Sequence, residues 1–188
     1  DSLRTLTDDF WRDGLGEVVK YGCIGDEALF RLLEENAGGG RIALMGVIGE
    51  ILTHCIQYKA NIVAQDEHDT GLRMTLNFGH TIAHAVETCQ HGEAVALGMR
   101  VITAMTEEKG MTEQGTSARL NRLLDALEMP RRLPAIPEKD LLNAMTLDKK
   151  SAGKQLRVIT LDKIGVCRIV PTDVDFFQGM TAQKFVQN

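Results

Sequence analysis

The segment Leu76-Asn77-Phe78-Gly79-His80-Thr81-Ile82-Ala83-His84, followed shortly by His91-Gly92-Glu93-Ala94-Val95, holds three of the five histidines of the chain. His80 and His84 are four positions apart, so on a helix their rings leave the same face. Imidazole is the commonest metal ligand and the side chain that exchanges protons most readily near neutral pH. The cluster therefore points to a metal site, a proton-transfer site, or both. Taken alone, an i, i+4 histidine pair is as readily two side chains that merely share a helix. The residues around it have to decide.

The bulk numbers narrow the field. With 188 residues, 44% hydrophobic and 25% charged, the chain has the composition of a globular protein with one well-buried core. A net charge of -5 argues against nucleic acid or an anionic membrane surface as the main partner. No stretch approaches the ~20 consecutive apolar residues of a membrane span. The start, Asp1-Ser2-Leu3-Arg4, does not read as a secretion signal. Cys23, Cys55, Cys89 and Cys167 are scattered without a CxxC pair, as expected of free thiols in a reducing cytoplasm. A metal here would be held by histidine and carboxylate rather than by cysteine.

Helical periodicity dominates the elements that must position these groups. Thr7-Asp8-Asp9 caps a first helix through Trp11, Leu15, Val18 and Val19, with Gly22 and Gly25 as interruptions. Asp26 caps a second, ended by Gly38-Gly39-Gly40. Residues 41–64 are apolar on more than one face, which predicts a buried central helix. The polar stretch 65–71 reads as a loop. Helices are then expected over 72–89, 93–108 and 117–129, the last closed by Pro130, with another beginning near Pro137. The period shortens only at Leu156–Leu161 and Val166–Val170, which read as a hairpin turning at Ile164-Gly165. The expected fold is mainly α, a multi-helix domain with a small C-terminal β-hairpin. There is no GxGxxG after a strand, no βαβ alternation and no P-loop, so a nucleotide cofactor would find no usual platform in this sequence.

Four stretches, in order, carry a family resemblance: Gly16-Glu17-Val18-Val19-Lys20-Tyr21-Gly22; Lys59 through Asp66-Glu67 and Gly71-Leu72-Arg73 to Leu76-Asn77-Phe78-Gly79-His80-Thr81; His91-Gly92-Glu93-Ala94-Val95; and Asp148-Lys149-Lys150 with Gly153 and the hairpin. Together they resemble the C-terminal helical domain of the 3-dehydroquinate synthase family, within the wider group of sugar-phosphate cyclases. The resemblance implies a two-part fold. An N-terminal Rossmann-like domain holds NAD, and the helical domain holds the metal and most substrate contacts. Residues 1–188 are expected to be the second part alone, as a single domain, with the NAD-binding domain absent from this chain.

The resemblance also implies the site. Zinc, or cobalt in its place, would be bound by Glu17, His80 and His91. Two imidazoles and a carboxylate leave an open position, as a catalytic rather than a structural zinc does. Spacing alone would pair His80 with His84, whereas the family gives His84 to proton transfer and substrate contact. Lys20, at i+3 from Glu17, faces the same side and is expected to act in catalysis and substrate binding. Lys59, Arg73, Asn77, Lys149 and Lys150 match positions that hold a substrate's phosphate, carboxylate and hydroxyls. On one continuous helix, Arg73, Asn77, His80 and His84 would share a face. Leu3, Thr5 and Asp13 fall where the family touches its cofactor. The implied reaction converts 3-deoxy-arabino-heptulosonate 7-phosphate to 3-dehydroquinate with release of phosphate, in an enzyme that is typically a homodimer.

The chain departs from the family in places. Asp69 stands where a glutamate of a proton relay is usual, Gly16 where alanine is common, and Asp13 where asparagine is frequent. The stretch between His84 and His91 is short, so 87–90 must turn sharply for His91 to reach a metal. Two rival readings remain at this stage. One is a related cyclase of the inosose or valiolone synthase type. The other is a non-catalytic metal-binding helical module.

Overall fold

The computed structural model describes residues 2–67, 71–83, 90–131 and 156–177. After a 3-10 turn at Ser2–Thr5, helix α1 spans Asp8–Ile24, α2 Glu27–Ala37, α3 Gly40–Gly46 and α4 Ile48–Gln65. A 3-10 segment, Leu72–Asn77, leads into α5 at His80–Ala83, then α6 spans His91–Glu108 and α7 Thr116–Ala126. Strands β1 (Leu156–Lys163) and β2 (Val166–Thr172) pair antiparallel and are followed by a 3-10 turn at Val174–Phe177. The mainly helical fold with its hairpin is the one the sequence predicts. The helix expected near Pro137 lies outside the described residues. None of the described helices is long and apolar enough to cross a membrane.

Helix α1 begins where its sequence says it should. The Thr7 hydroxyl accepts the Phe10 N–H at 3.4 Å, and Asp8 and Asp9 place negative charge in the first turn, where the helix dipole favours it. Trp11, Leu15, Val19 and Cys23 recur at i, i+4 and are buried. The helix continues through Gly22, contrary to the interruption expected there, and the absent side chain lets Phe30 of α2 pack close at that position. It ends at Gly25.

The central helix is α6 and not the 41–64 segment. Residues from Ala94 to Thr103 in α6 are buried without a break, and α1, α5, α7 and β1 pack around them. A helix apolar on every side has to be surrounded. The 41–64 segment instead divides at Val47 into α3 and α4 and lies at the surface. Leu44, Ile51 and Ile62 are buried and Met45, Ile48, Cys55 and Tyr58 pack partly buried beside them, while Ile42 is 88% and Ile56 67% exposed. Its aliphatic residues are numerous but do not share one stripe, and the sequence reading mistook their number for burial.

The hairpin seals the other side. Its turn residue Gly165 has φ +81°, and its N–H donates to the Cys23 carbonyl at 2.8 Å, near the end of α1. Thr112, beyond α6, donates its hydroxyl to the Leu161 carbonyl at 2.7 Å. The chain between α6 and α7 is thereby tied to β1.

Asp26 serves two elements at once. One oxygen accepts the Leu29 N–H at 3.0 Å, capping α2, and the other lies 2.7 Å from Nδ1 of His54 on α4. Asp26→Ala removes both contacts and is expected to lower unfolding stability by about 1–3 kcal/mol, read from urea denaturation. Asp26→Asn should lose less.

Candidate metal and substrate site

Three helices each contribute one group to a single point. Glu17 comes from α1, His80 opens α5 and His91 opens α6. Oε1 of Glu17 lies 3.7 Å from Nε2 of His80 and 3.9 Å from Nε2 of His91. One ligand atom from each residue lies within 4.8 Å of the others. The two rings meet edge to face, with centroids 5.1 Å apart.

The carboxylate of Glu17 divides its work. Oε2 accepts from Nζ of Lys20 at 2.6 Å, whereas Oε1 is buried without a hydrogen-bond partner. Nδ1 of His80 lies 3.1 Å from the Phe78 carbonyl. A carbonyl can only accept, so this contact assigns the ring hydrogen to Nδ1 and turns the Nε2 lone pair toward Glu17. Burial first, and then the charge of Lys20, push His80 down to about 4, so the ring is neutral near pH 7. A lone pair facing a carboxylate oxygen with no hydrogen between them is repulsive. A cation at their meeting point removes that repulsion, and a neutral imidazole beside a carboxylate is a donor set that zinc accepts. The residues present therefore fit a divalent metal.

Lys20 is 3% exposed, unusual for a lysine. Burial pushes its ammonium below the ordinary lysine range, Glu17 pulls the other way, and Lys59 adds a smaller push downward. Lys59 itself is exposed on α4 and is felt from Lys20 through its charge.

Close backbone approach makes the convergence possible. Gly79 takes φ +81°, which turns the chain out of the 3-10 segment and into α5 just before His80. Gly98 of α6 lies against the Gly79 carbonyl, so a methyl there would overlap it. At the α1–α6 crossing, Gly16 lies against the Gly92 backbone and Gly92 against that of Asp13. A side chain at either glycine would have no room.

The single helix expected over 72–89 does not form. Residues 72–77 are a 3-10 segment, Phe78 and Gly79 form a turn, and α5 starts afresh at His80. The common face proposed for Arg73, Asn77 and His80 is lost with it. Arg73 donates its backbone N–H to Asp66 Oδ2 at 3.0 Å and a guanidinium N–H to the Glu67 carbonyl at 3.2 Å. Asn77 is exposed at the end of that segment. Leu3 and Thr5 lie in the first 3-10 turn, where Arg41 takes the Leu3 carbonyl at 3.0 Å. Asp13 accepts the Gly92 N–H at 2.6 Å. His84, Asp69, Lys149 and Lys150 lie outside the described residues. Sequence reading missed the Phe78 carbonyl that orients His80. The signal was there in Phe78-Gly79-His80, a glycine able to turn the preceding carbonyl back onto the ring.

The described cysteines carry no chemistry at this site. Burial pushes the thiols of Cys55 and Cys167 up to about 11, and that of Cys23 higher still. A thiol titrating that high is about one part in a thousand thiolate at pH 8. In a Cys89→Ser background, the native chain should react slowly with a disulfide reagent at pH 8, and promptly with three equivalents once unfolded in guanidinium.

Residues 14–151 match the family described as 3-dehydroquinate synthase C-terminal. A 3-dehydroquinate synthase of Clostridium beijerinckii is 40% identical over 181 residues, covering 93% of this chain and 51% of the relative. The chain thus spans about half the length of the curated relatives it matches. A solved 2-epi-5-epi-valiolone synthase from Streptomyces hygroscopicus subsp. jinggangensis 5008, with NAD+ and Zn2+ bound, superposes with a TM-score of 0.83 at 22% identity, over 94% of this chain and 51% of that one. A 2-deoxy-scyllo-inosose synthase complexed with carbaglucose-6-phosphate, NAD+ and Co2+ gives 0.71 at 16% identity, over 92% and 52%. At these identities the two structures speak to the fold alone.

Proposed function

This chain belongs to the 3-dehydroquinate synthase C-terminal family, and on that premise we propose that it is the metal- and substrate-binding half of a 3-dehydroquinate synthase. The reaction is the cyclisation of 3-deoxy-arabino-heptulosonate 7-phosphate to 3-dehydroquinate with loss of phosphate, a step of the shikimate pathway. The observation that carries the reading is Oε1 of Glu17, buried without a hydrogen-bond partner and facing Nε2 of both His80 and His91.

Glu17, His80 and His91 would hold zinc or cobalt, and NAD would be held mainly by an N-terminal domain, since no βαβ unit is found among the described residues. When bound, the cation would supply Lewis acidity toward substrate hydroxyls, and NAD would supply hydride-transfer chemistry. The chain's own residues do the rest. Lys20 presents a buried positive charge to an anionic substrate group while holding Glu17 in place. The Phe78 carbonyl fixes the orientation of His80. Lys59 adds positive charge at the rim, and Arg73 and Asn77 take the contacts to substrate hydroxyls or carboxylate that the resemblance implies. His84 and Asp69 take the proton-transfer roles the resemblance implies, Lys149 and Lys150 the substrate contacts, and Leu3, Thr5 and Asp13 the side toward NAD. The homodimer and the cytoplasmic setting belong to the same proposal.

A related cyclase of the valiolone or inosose type would use the same fold. The 40% identity to a curated 3-dehydroquinate synthase favours dehydroquinate as product over the carbocycles named for structures at 16–22% identity.

Elemental analysis of the mildly purified chain should find near-stoichiometric zinc in wild type and its loss in both His80→Ala and His91→Ala. Zinc that survives His91→Ala would exclude His91 as a ligand. Given NAD and the heptulosonate phosphate, the isolated chain should release no phosphate above a boiled control, because no platform for the hydride acceptor is found among its described residues. Sustained NAD-dependent release would contradict that division of labour.

A further inference from the structure

We infer that Asp13 is a positioning residue for His91: its carboxylate, on the helix that carries Glu17, caps the first turn of α6 and sets where the imidazole stands. The inference rests on the proposed metal role of Glu17, His80 and His91.

His91 is the first residue of α6, and its side chain is 59% exposed. An exposed ring at a helix start has its position set by that turn's backbone. The first N–H groups of a helix lack partners within it, and Gln90, the residue before α6, makes no capping bond with its side chain. The partner comes from α1 instead. Oδ1 of Asp13 accepts the Gly92 N–H at 2.6 Å, a short bond of the charge-assisted kind, with negative charge at the positive end of the α6 dipole.

Two further contacts flank that bond. Gly92 lies against the backbone of Asp13, and Gly16 against that of Gly92, so the two helices interlock at this level. One residue farther on, Nε of Arg12 lies 3.3 Å from Oε1 of Glu93. Arg12-Asp13 on α1 therefore grips Gly92-Glu93 on α6. Asp13 and Glu17 are i, i+4 on α1 and share a face. One helix thus supplies both a carboxylate for the metal and the carboxylate that brings His91 to it. The separation of Oε1 of Glu17 and Nε2 of His91 is then set by α1 and does not depend on the short stretch that precedes His91.

The test is a Co2+ titration of the metal-free chain, read by visible absorption and by chelator competition, alongside hydrogen exchange at the Gly92 amide. The variants are Asp13→Ala, Asp13→Asn and, as a control, Thr7→Ala, which uncaps α1 without touching α6. Asp13→Ala should speed exchange at Gly92, weaken Co2+ binding about tenfold or more, and change the Co2+ spectrum. Asp13→Asn, which keeps an acceptor without the charge, should weaken binding about threefold. Thr7→Ala should lower stability and leave the spectrum as in wild type. Wild-type affinity and spectrum in Asp13→Ala would overturn the inference and leave the metal site standing. A wild-type chain that takes up no Co2+ would overturn both. Where Asp13→Ala does not fold, Asp13→Asn decides, and unchanged affinity there overturns the inference.

Discussion

Two packed helices ordinarily stop approaching when their side chains meet, at interaxial separations of about 8–10 Å. Helices α1 and α6 meet without intervening side chains at Gly16 and Gly92, where each presents bare backbone to the other. Everything at the site depends on this contact. Glu17 follows Gly16 and His91 precedes Gly92, so the closest point of the crossing lies one residue from each. With the helices as close as they are in this chain, a methyl at either glycine would overlap the backbone opposite. The same device recurs at Gly79 and Gly98, where α6 meets the turn before His80. The three groups converge because glycine stands beside each of them or directly opposite.

Close packing alone would leave the site electrostatically unbalanced. Burying an ammonium and a carboxylate together is costly unless they pair well, and Lys20 with Glu17 does so through one oxygen only. The other oxygen stays available on the side of the imidazoles. The pair therefore does two things: it satisfies the buried lysine, and it leaves the second carboxylate oxygen facing Nε2 of His80 and of His91.

Much of this was legible in the sequence, and what was not has physical causes. Caps at Thr7 and Asp26, the hairpin at Ile164-Gly165 and the mainly helical class all follow from local chemistry, which acts within a few residues. The grouping of Glu17 with His80 and His91 came from resemblance, since spacing by itself favoured His80 with His84. Two readings failed because they needed tertiary information. Residues 41–64 are rich in aliphatics, but only the packed structure shows Ile42 and Ile56 turned outward. The break at Phe78-Gly79 hid inside a good helical pattern because Gly79 is held by α6 as well as by its own conformational freedom. The pairing of Asp13 with the Gly92 amide joins positions 79 apart, and no local pattern announces it.

The hairpin turn rests on the Cys23 carbonyl, which gives the fold a temporal order. Local helices can form early, but a contact between segments so distant in sequence must wait for a long loop to close. The last turn of α1 receives that bond only when the final described segment arrives. The helix that bears Glu17 is therefore completed late, by residues from the far end of the chain. During synthesis it would stay unsealed until nearly all of this domain had left the ribosome.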